Sequence, residues 1–104
     1  ALARPNVLMF NDWDWIPNRT RMQGERFHRW LEGLTARKAR LAVVELGAGE
    51  AVATVRMTSE AAARPERATL IRINPRDTDV PPGQLSIPLG AEEGILRITE
   101  PAPA

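Results

Sequence analysis

The stretch Leu41-Ala42-Val43-Val44-Glu45-Leu46-Gly47-Ala48-Gly49-Glu50-Ala51-Val52 decides how the rest of the chain is read. A run dominated by aliphatic side chains, too short for a buried helix and closed by glycine, predicts a buried strand over residues 41–46. The two glycines allow a tight turn. Val52, Val55, Ser59 and Ala62 then continue at helical spacing up to Arg64-Pro65, where a proline ring cannot extend a helix. Strand, glycine turn and helix together form the opening of a parallel crossover unit.

Working outward, residues 69–73 are a second aliphatic run and residues 7–10, Val-Leu-Met-Phe, a third, so both are expected as buried strands. Phe27, Trp30, Leu31 and Leu34 fall at i, i+3, i+4 and i+7, and Thr20 with Gln23 supplies a capping box, which predicts a helix over residues 21–34. Residues 77–83 are a turn-rich loop containing Pro81-Pro82-Gly83. A short strand over 85–89 and a closing helix over 91–98 follow. Pro88 places that strand at an edge or marks its end.

The expected fold is therefore α/β: a partial Rossmann-like, three-layer parallel sheet of three to four strands with about three helices. Residues 1–100 are expected as a single nucleotide-binding-like domain, half of a larger Rossmann-type domain, with 101–104 as a Pro/Ala tail. Half a sheet leaves an edge strand, here the 7–10 run, for the missing half or another copy of the chain.

Composition excludes several classes. The chain has 104 residues, 43% of them hydrophobic and 26% charged, which is ordinary globular usage and enough for one modest core. No apolar run approaches the roughly 18 residues of a membrane span. Fourteen basic against thirteen acidic residues leave a net charge of +1, without a basic stripe to bind nucleic acid. With no cysteine and one histidine, disulfides and Cys/His zinc sites are excluded. The chain opens on alanine and has no charged-then-apolar leader, so the expectation is an excised piece of a cytoplasmic protein.

Open parallel sheets bind ligands off the carboxyl ends of their strands, so the residues after each strand are the ones to inspect. Gly47, Ala48 and Gly49 suit close approach of the backbone to a phosphate, although Glu50 brings the wrong charge and Val52 stands where a dinucleotide fingerprint has Gly or Ala. A plain glycine turn explains the same residues. Asn74, at the end of the next strand, carries an amide that can serve ribose hydroxyls or simply shape a turn, with Pro75 fixing the backbone beside it. Asn11-Asp12-Trp13-Asp14-Trp15 interleaves acids with indoles and suits either a pocket wall or a cover for the following helix. His28, beside Phe27 and without a second base, reads as structural. Glu45 and Arg72 each interrupt an aliphatic strand two residues before a loop landmark, so on neighbouring strands they should form a cross-strand ion pair.

Taken together, Arg4-Pro5-Asn6-Val7-Leu8-Met9-Phe10, Leu46-Gly47-Ala48-Gly49 with Val52, Ile73-Asn74-Pro75 and Leu89-Gly90-Ala91 are similar to one family. In order and spacing, across nearly the whole chain, they resemble the C-terminal half of bacterial sirtuins, the NAD-dependent protein deacylases. The resemblance implies NAD as cofactor and an acyl-lysine protein as substrate. Gly47, Ala48, Gly49 and Val52 would lie against NAD phosphate and ribose, Asn74 with Pro75 and Arg76 would hold the adenosine ribose, and Gly90 and Ala91 would approach the adenine. Leu8 and Phe10 would border the acyl-lysine channel, with Asn11 and Asp12 at the substrate backbone.

The chain departs from the family pattern where Ala48 and Gly49 replace Thr-Ser, Arg76 replaces an acid and Asn11 replaces glycine. No catalytic residue or zinc ligand is expected in this segment, since the family's histidine, first glycine-rich loop and zinc cysteines lie outside it. The segment alone is expected to be inactive. The alternatives are a non-catalytic nucleotide-binding or protein-interaction α/β domain, and a small self-standing α/β domain without a nucleotide.

Overall fold

The computed structural model describes residues 2–103. Its elements are α1 (Asn18–Ala36), β1 (Leu41–Leu46), α2 (Thr54–Ala62), β2 (Ala68–Ile73), β3 (Leu85–Ile87) and α3 (Ala91–Thr99). The chain divides into two compact units, Ala1–Gly33 and Leu34–Ala104.

The second unit is the α/β fold expected from the sequence, with one open, all-parallel sheet in the order β1-β2-β3. β2 lies at the centre, and Leu70, Arg72 and Ile73 on it are fully buried. The register pairs Glu45 with Arg72 and Leu46 with Ile73, so both strands of the pair end level. Side chains alternate across a strand, which sends Leu70 and Arg72 to one face and Ile73 to the other. Glu60 of α2 bonds Arg72, placing α2 on the first face. Gly94 of α3 lies against Ile73 on the second, where an added Cβ would stand 2.3 Å from Ile73 Cγ2. Glycine at 94 is therefore what lets α3 approach the sheet. The result is three layers of helix, sheet and helix, consistent with a partial Rossmann-like fold.

Two boundaries shift for local reasons. β3 stops at Ile87 rather than residue 89, because Pro88 has no N–H to continue the ladder and the Leu89 N–H turns back to the Ile87 carbonyl at 2.8 Å. α2 begins at Thr54, so residues 47–53 form a loop of their own rather than leading directly into the helix. The buried face of α2 also differs from the aliphatic stripe. Arg56, Ser59 and Ala63 are buried at i, i+3 and i+7, whereas Val52 and Val55 are exposed. The charged groups of β1 and β2 set this rotation, since a buried ion pair needs polar partners from the helix above it.

The connection out of α1 is a left-handed cap. Lys38 has φ +55°, its N–H donates to the Thr35 carbonyl at 3.0 Å, and the Ala39 N–H donates to the Leu34 carbonyl at 2.9 Å. This is the paired-bond helix ending usually built on glycine.

The first unit corrects two expectations. Residues 7–10 are not a strand, and Val7, Leu8, Met9 and Phe10 are all exposed. Local bonds organise the segment instead. Val7 N–H donates to the Pro5 carbonyl at 2.8 Å, and the Asn6 amide bonds the Ile16 backbone twice, through Nδ2 to the carbonyl at 2.8 Å and Oδ1 from the N–H at 3.1 Å. Asn11, at φ +56°, then turns the chain. The sheet's first edge strand is consequently β1 rather than the 7–10 run. The capping box at Thr20 does not form either, because the helix starts earlier. The Pro17 carbonyl accepts the Arg21 N–H at 2.9 Å, which places Thr20 inside the first turn. Phe27 lies 6.0 Å from the rings of both His28 and Trp30, and all three side chains are exposed. No helix among the described residues is long and apolar enough to cross a membrane.

Candidate functional site

Parallel strands of equal reach bring their following loops to one edge of the sheet, and here the loops after β1 and β2 are tied together directly. Gly47 turns the chain at φ +63°, a left-handed conformation that a Cβ would strain, while its N–H holds the Ile73 carbonyl at 3.0 Å. The next carbonyl, of Ala48, accepts Asn74 Nδ2 at 3.0 Å. Asn74 Oδ1 accepts the N–H groups of Arg76 and Asp77, each at 3.0 Å. Asp77 returns the link, its Oδ2 accepting the Glu50 N–H at 3.1 Å.

The two loops thus form one structure. The Ala48 carbonyl, between Gly47 and Gly49, meets Asn74, and Pro75 and Arg76 immediately beyond are exposed. Val52 is exposed in the loop before α2. Gly90 and Ala91 open α3 after β3, at the same edge of the sheet by topology. Leu8, Phe10, Asn11 and Asp12 belong to the first unit. There Arg4 Nη2 lies 2.5 Å from Asp12 Oδ2, and that contact with its charge holds the Asp12 carboxyl below its ordinary range.

Asn74 is mostly spent within the protein. An amide offers two N–H donors and two acceptor lone pairs. Both lone pairs serve Arg76 and Asp77, and one N–H serves Ala48, so a single N–H remains for a ligand hydroxyl.

Beneath the loops lies a charged network of which the sequence disclosed only half. Arg72 Nε meets Glu45 Oε1 at 2.5 Å and Nη2 meets Oε2 at 3.0 Å, the expected ion pair in two-pronged form. Nη2 also reaches Glu60 Oε1 at 3.0 Å, and Nη1 donates to the Asp79 carbonyl. The hydrogen bond that Arg72 donates to Glu45, opposed by burial and supported by Glu60, raises the Arg72 pKa. Burial pushes the Glu45 carboxyl upward, but the bonds and charge of Arg72, with help from Ser59 and Arg56, outweigh it and hold the carboxyl below its ordinary range.

Arg56 is the part the sequence reading missed. Its Nη1 donates to the carbonyls of Ala48 at 3.2 Å and Asp77 at 3.0 Å, and Nη2 donates to that of Asp79 at 3.1 Å. One buried guanidinium therefore clamps both loops from below. Glu50 Oε1 stands 3.6 Å from the same Nη2. The signal was present as Arg56, Ser59, Glu60 and Ala63, which repeat at i, i+3, i+4 and i+7, but a search for aliphatic periodicity passes over it.

Chemically, the arrangement offers a fixed turn of exposed backbone and polar groups at a sheet edge. Among the described residues of the two loops no nucleophile is hydrogen-bonded to a base, and His28 belongs to the first unit. Among the described residues no His, Cys, Asp and Glu group is placed to hold a metal ion. A cavity of about 290 Å³ lies elsewhere, lined by Glu60, Ala63, Arg64, Leu70, Pro81 and Gln84. No protein-family model, curated protein or solved structure matches the chain.

Proposed function

We propose that the chain is the NAD-binding C-terminal segment of a bacterial, cytoplasmic, sirtuin-like protein deacylase, incomplete as a catalyst by itself. One observation carries the reading. The loops that follow adjacent parallel strands are joined into a single surface by Asn74 Nδ2 on the Ala48 carbonyl, at the sheet edge where such folds take nucleotides. On this reading the nucleotide lies over residues 47–52 and 74–76, with adenine towards Gly90 and Ala91. Leu8, Phe10, Asn11 and Asp12 serve an acyl-lysine protein, and the free edge of the sheet serves the missing half or another copy.

The test is a titration of the isotopically labelled chain with NAD or ADP-ribose. Amide shifts are expected to cluster at residues 47–52 and 74–76, with Kd on the order of 1 mM because half a cleft is present. The isolated chain is expected not to cleave NAD in the presence of an acyl-lysine peptide. Turnover above a denatured control, or shifts scattered over the surface, would count against the reading.

A second reading, a non-catalytic interaction domain, has its own support. Asn74 keeps one free N–H, Ala48 and Gly49 bring no hydroxyls, and Trp13 is 93% exposed. Shifts centred on Trp13 and Trp15 in a peptide or nucleotide titration would favour it.

A further inference from the structure

A backbone turn rich in glycine attracts anions because its N–H groups point outward without partners. In this chain the position is already filled. Asp77 Oδ2 accepts the Glu50 N–H at 3.1 Å and stands 3.8 Å from where a Cβ on Gly49 would lie. A carboxylate oxygen there has the charge and bonding of a phosphate oxygen. Asp77 is held in place twice over, by its N–H on Asn74 Oδ1 and by its carbonyl under Arg56. The Glu50 carboxylate adds a second negative charge beside the turn, and the Arg56 guanidinium 3.6 Å from it is shared with three backbone carbonyls.

We infer that Asp77 is the specificity-determining residue of this loop pair: its carboxylate occupies the anion position of the 47–50 turn. A neutral, hydroxyl-bearing group is therefore admitted there, and a phosphate is excluded until the contact opens. The inference rests on the loop pair being a ligand site and adds which part of a ligand it takes. Two like charges would compete for the same N–H, and the resident one is tethered. A nucleoside sugar, carrying hydroxyls and no charge, meets no such repulsion and can donate to the carboxylate.

The experiment uses inorganic phosphate and, separately, adenosine as probes on the labelled full chain, read at the amides of Gly49 and Glu50. The native chain is expected to stay silent to phosphate. Asp77→Ala should bind it at least about tenfold more tightly at those two amides, equivalent to about 1.4 kcal/mol. Asp77→Asn, which keeps an oxygen for the Glu50 N–H but loses the charge, should also gain a response and carries the test if the alanine variant does not fold. Unmoved signals for Val43 and Leu70, paired across β1 and β2, report an intact sheet. The inference is overturned if the native chain answers phosphate as strongly as the variants do, or if both folded variants remain silent. Adenosine separates it from the nucleotide reading. A phosphate response gained in the variants, with no adenosine shifts in any form, would leave Asp77 as an anion plug and remove the nucleoside as its ligand.

Discussion

The two faces of the sheet are built on opposite principles. Beneath α2 lies a layer of charge, with Glu45, Arg72 and Arg56 all buried and every buried side-chain nitrogen and oxygen among the described residues satisfied. Beneath α3 the contact is apolar and depends on shape, glycine against the branched carbon of isoleucine. The first face is specified by direction, since a guanidinium bonds well only along its N–H vectors. The second is specified by volume. Mutations should therefore fail in different ways on the two faces.

The largest effect is expected from breaking the charged face one-sidedly. Arg72→Met leaves the Glu45 carboxylate buried and unpaired, for a loss of about 3–5 kcal/mol in denaturant unfolding. Glu45→Leu combined with Arg72→Met should recover much of that loss, because the carboxylate that remains without Arg72, that of Glu60, reaches solvent. Additive losses in the double-mutant cycle would mean that the pair does not interact.

Next comes the apolar face. Gly94→Ala should cost about 1–3 kcal/mol through overpacking against Ile73, offset in part by alanine's better helix propensity of about 1 kcal/mol. Ile73→Leu removes the branched methyl that the new Cβ would meet, so the double variant should be more stable than Gly94→Ala alone. A stabilised Gly94→Ala single variant would show that α3 has room to move.

Acid should distinguish the faces without mutation. The Glu45 carboxyl is held below its ordinary value of 4.5, so its stabilisation is fully present above that value and lost as pH falls through the lowered folded value. Urea midpoints measured downward from pH 5 should fall in the native chain more steeply than in the Glu45→Leu/Arg72→Met variant. Parallel curves would assign the acid sensitivity elsewhere.

The smallest effect sharpens the contrast. Glu93 and Arg97 form an exposed i, i+4 pair at 3.5 Å on α3. Arg97→Ala should change stability by no more than about 0.5 kcal/mol, which a thermal melt in low and high salt can check. The same two kinds of charge thus differ about six- to tenfold in consequence between a buried, two-pronged pair and an exposed single contact.

What could be read in advance follows the same division. β1, β2 and the Glu45–Arg72 pair were legible because a charge inside an aliphatic strand can be reconciled with burial only by a partner on the neighbouring strand. The meeting of the 47–49 and 74–76 loops followed from parallel topology. The face that carries Arg56 repeats at helical spacing, but the partners of Arg56 could not be read, since they are backbone carbonyls, which any sequence supplies. The 7–10 run misled for a complementary reason. Four apolar residues have the composition of a strand, but Asn6 and Asp12 offered side-chain bonds that hold a local turn structure instead. Neither sort of competition leaves a mark in hydrophobic periodicity.

β1 pairs with β2 on one side only, and on the face away from α2 its Val44 and Leu46 are 44% and 46% exposed. A six-residue segment of high β-propensity, Leu-Ala-Val-Val-Glu-Leu, with neither proline nor glycine, is a template for assembly of like chains. Its one charge is Glu45, and in the folded state that charge is neutralised by Arg72. Once β2 peels away, Glu45 becomes a bare carboxylate in the middle of the segment and repels its counterpart on the next chain. The side chain that locks the native sheet is also the gatekeeper against fibrils when that sheet opens. Replacing the pair with apolar residues would then keep much of the native stability while shortening the chain's life in a concentrated solution.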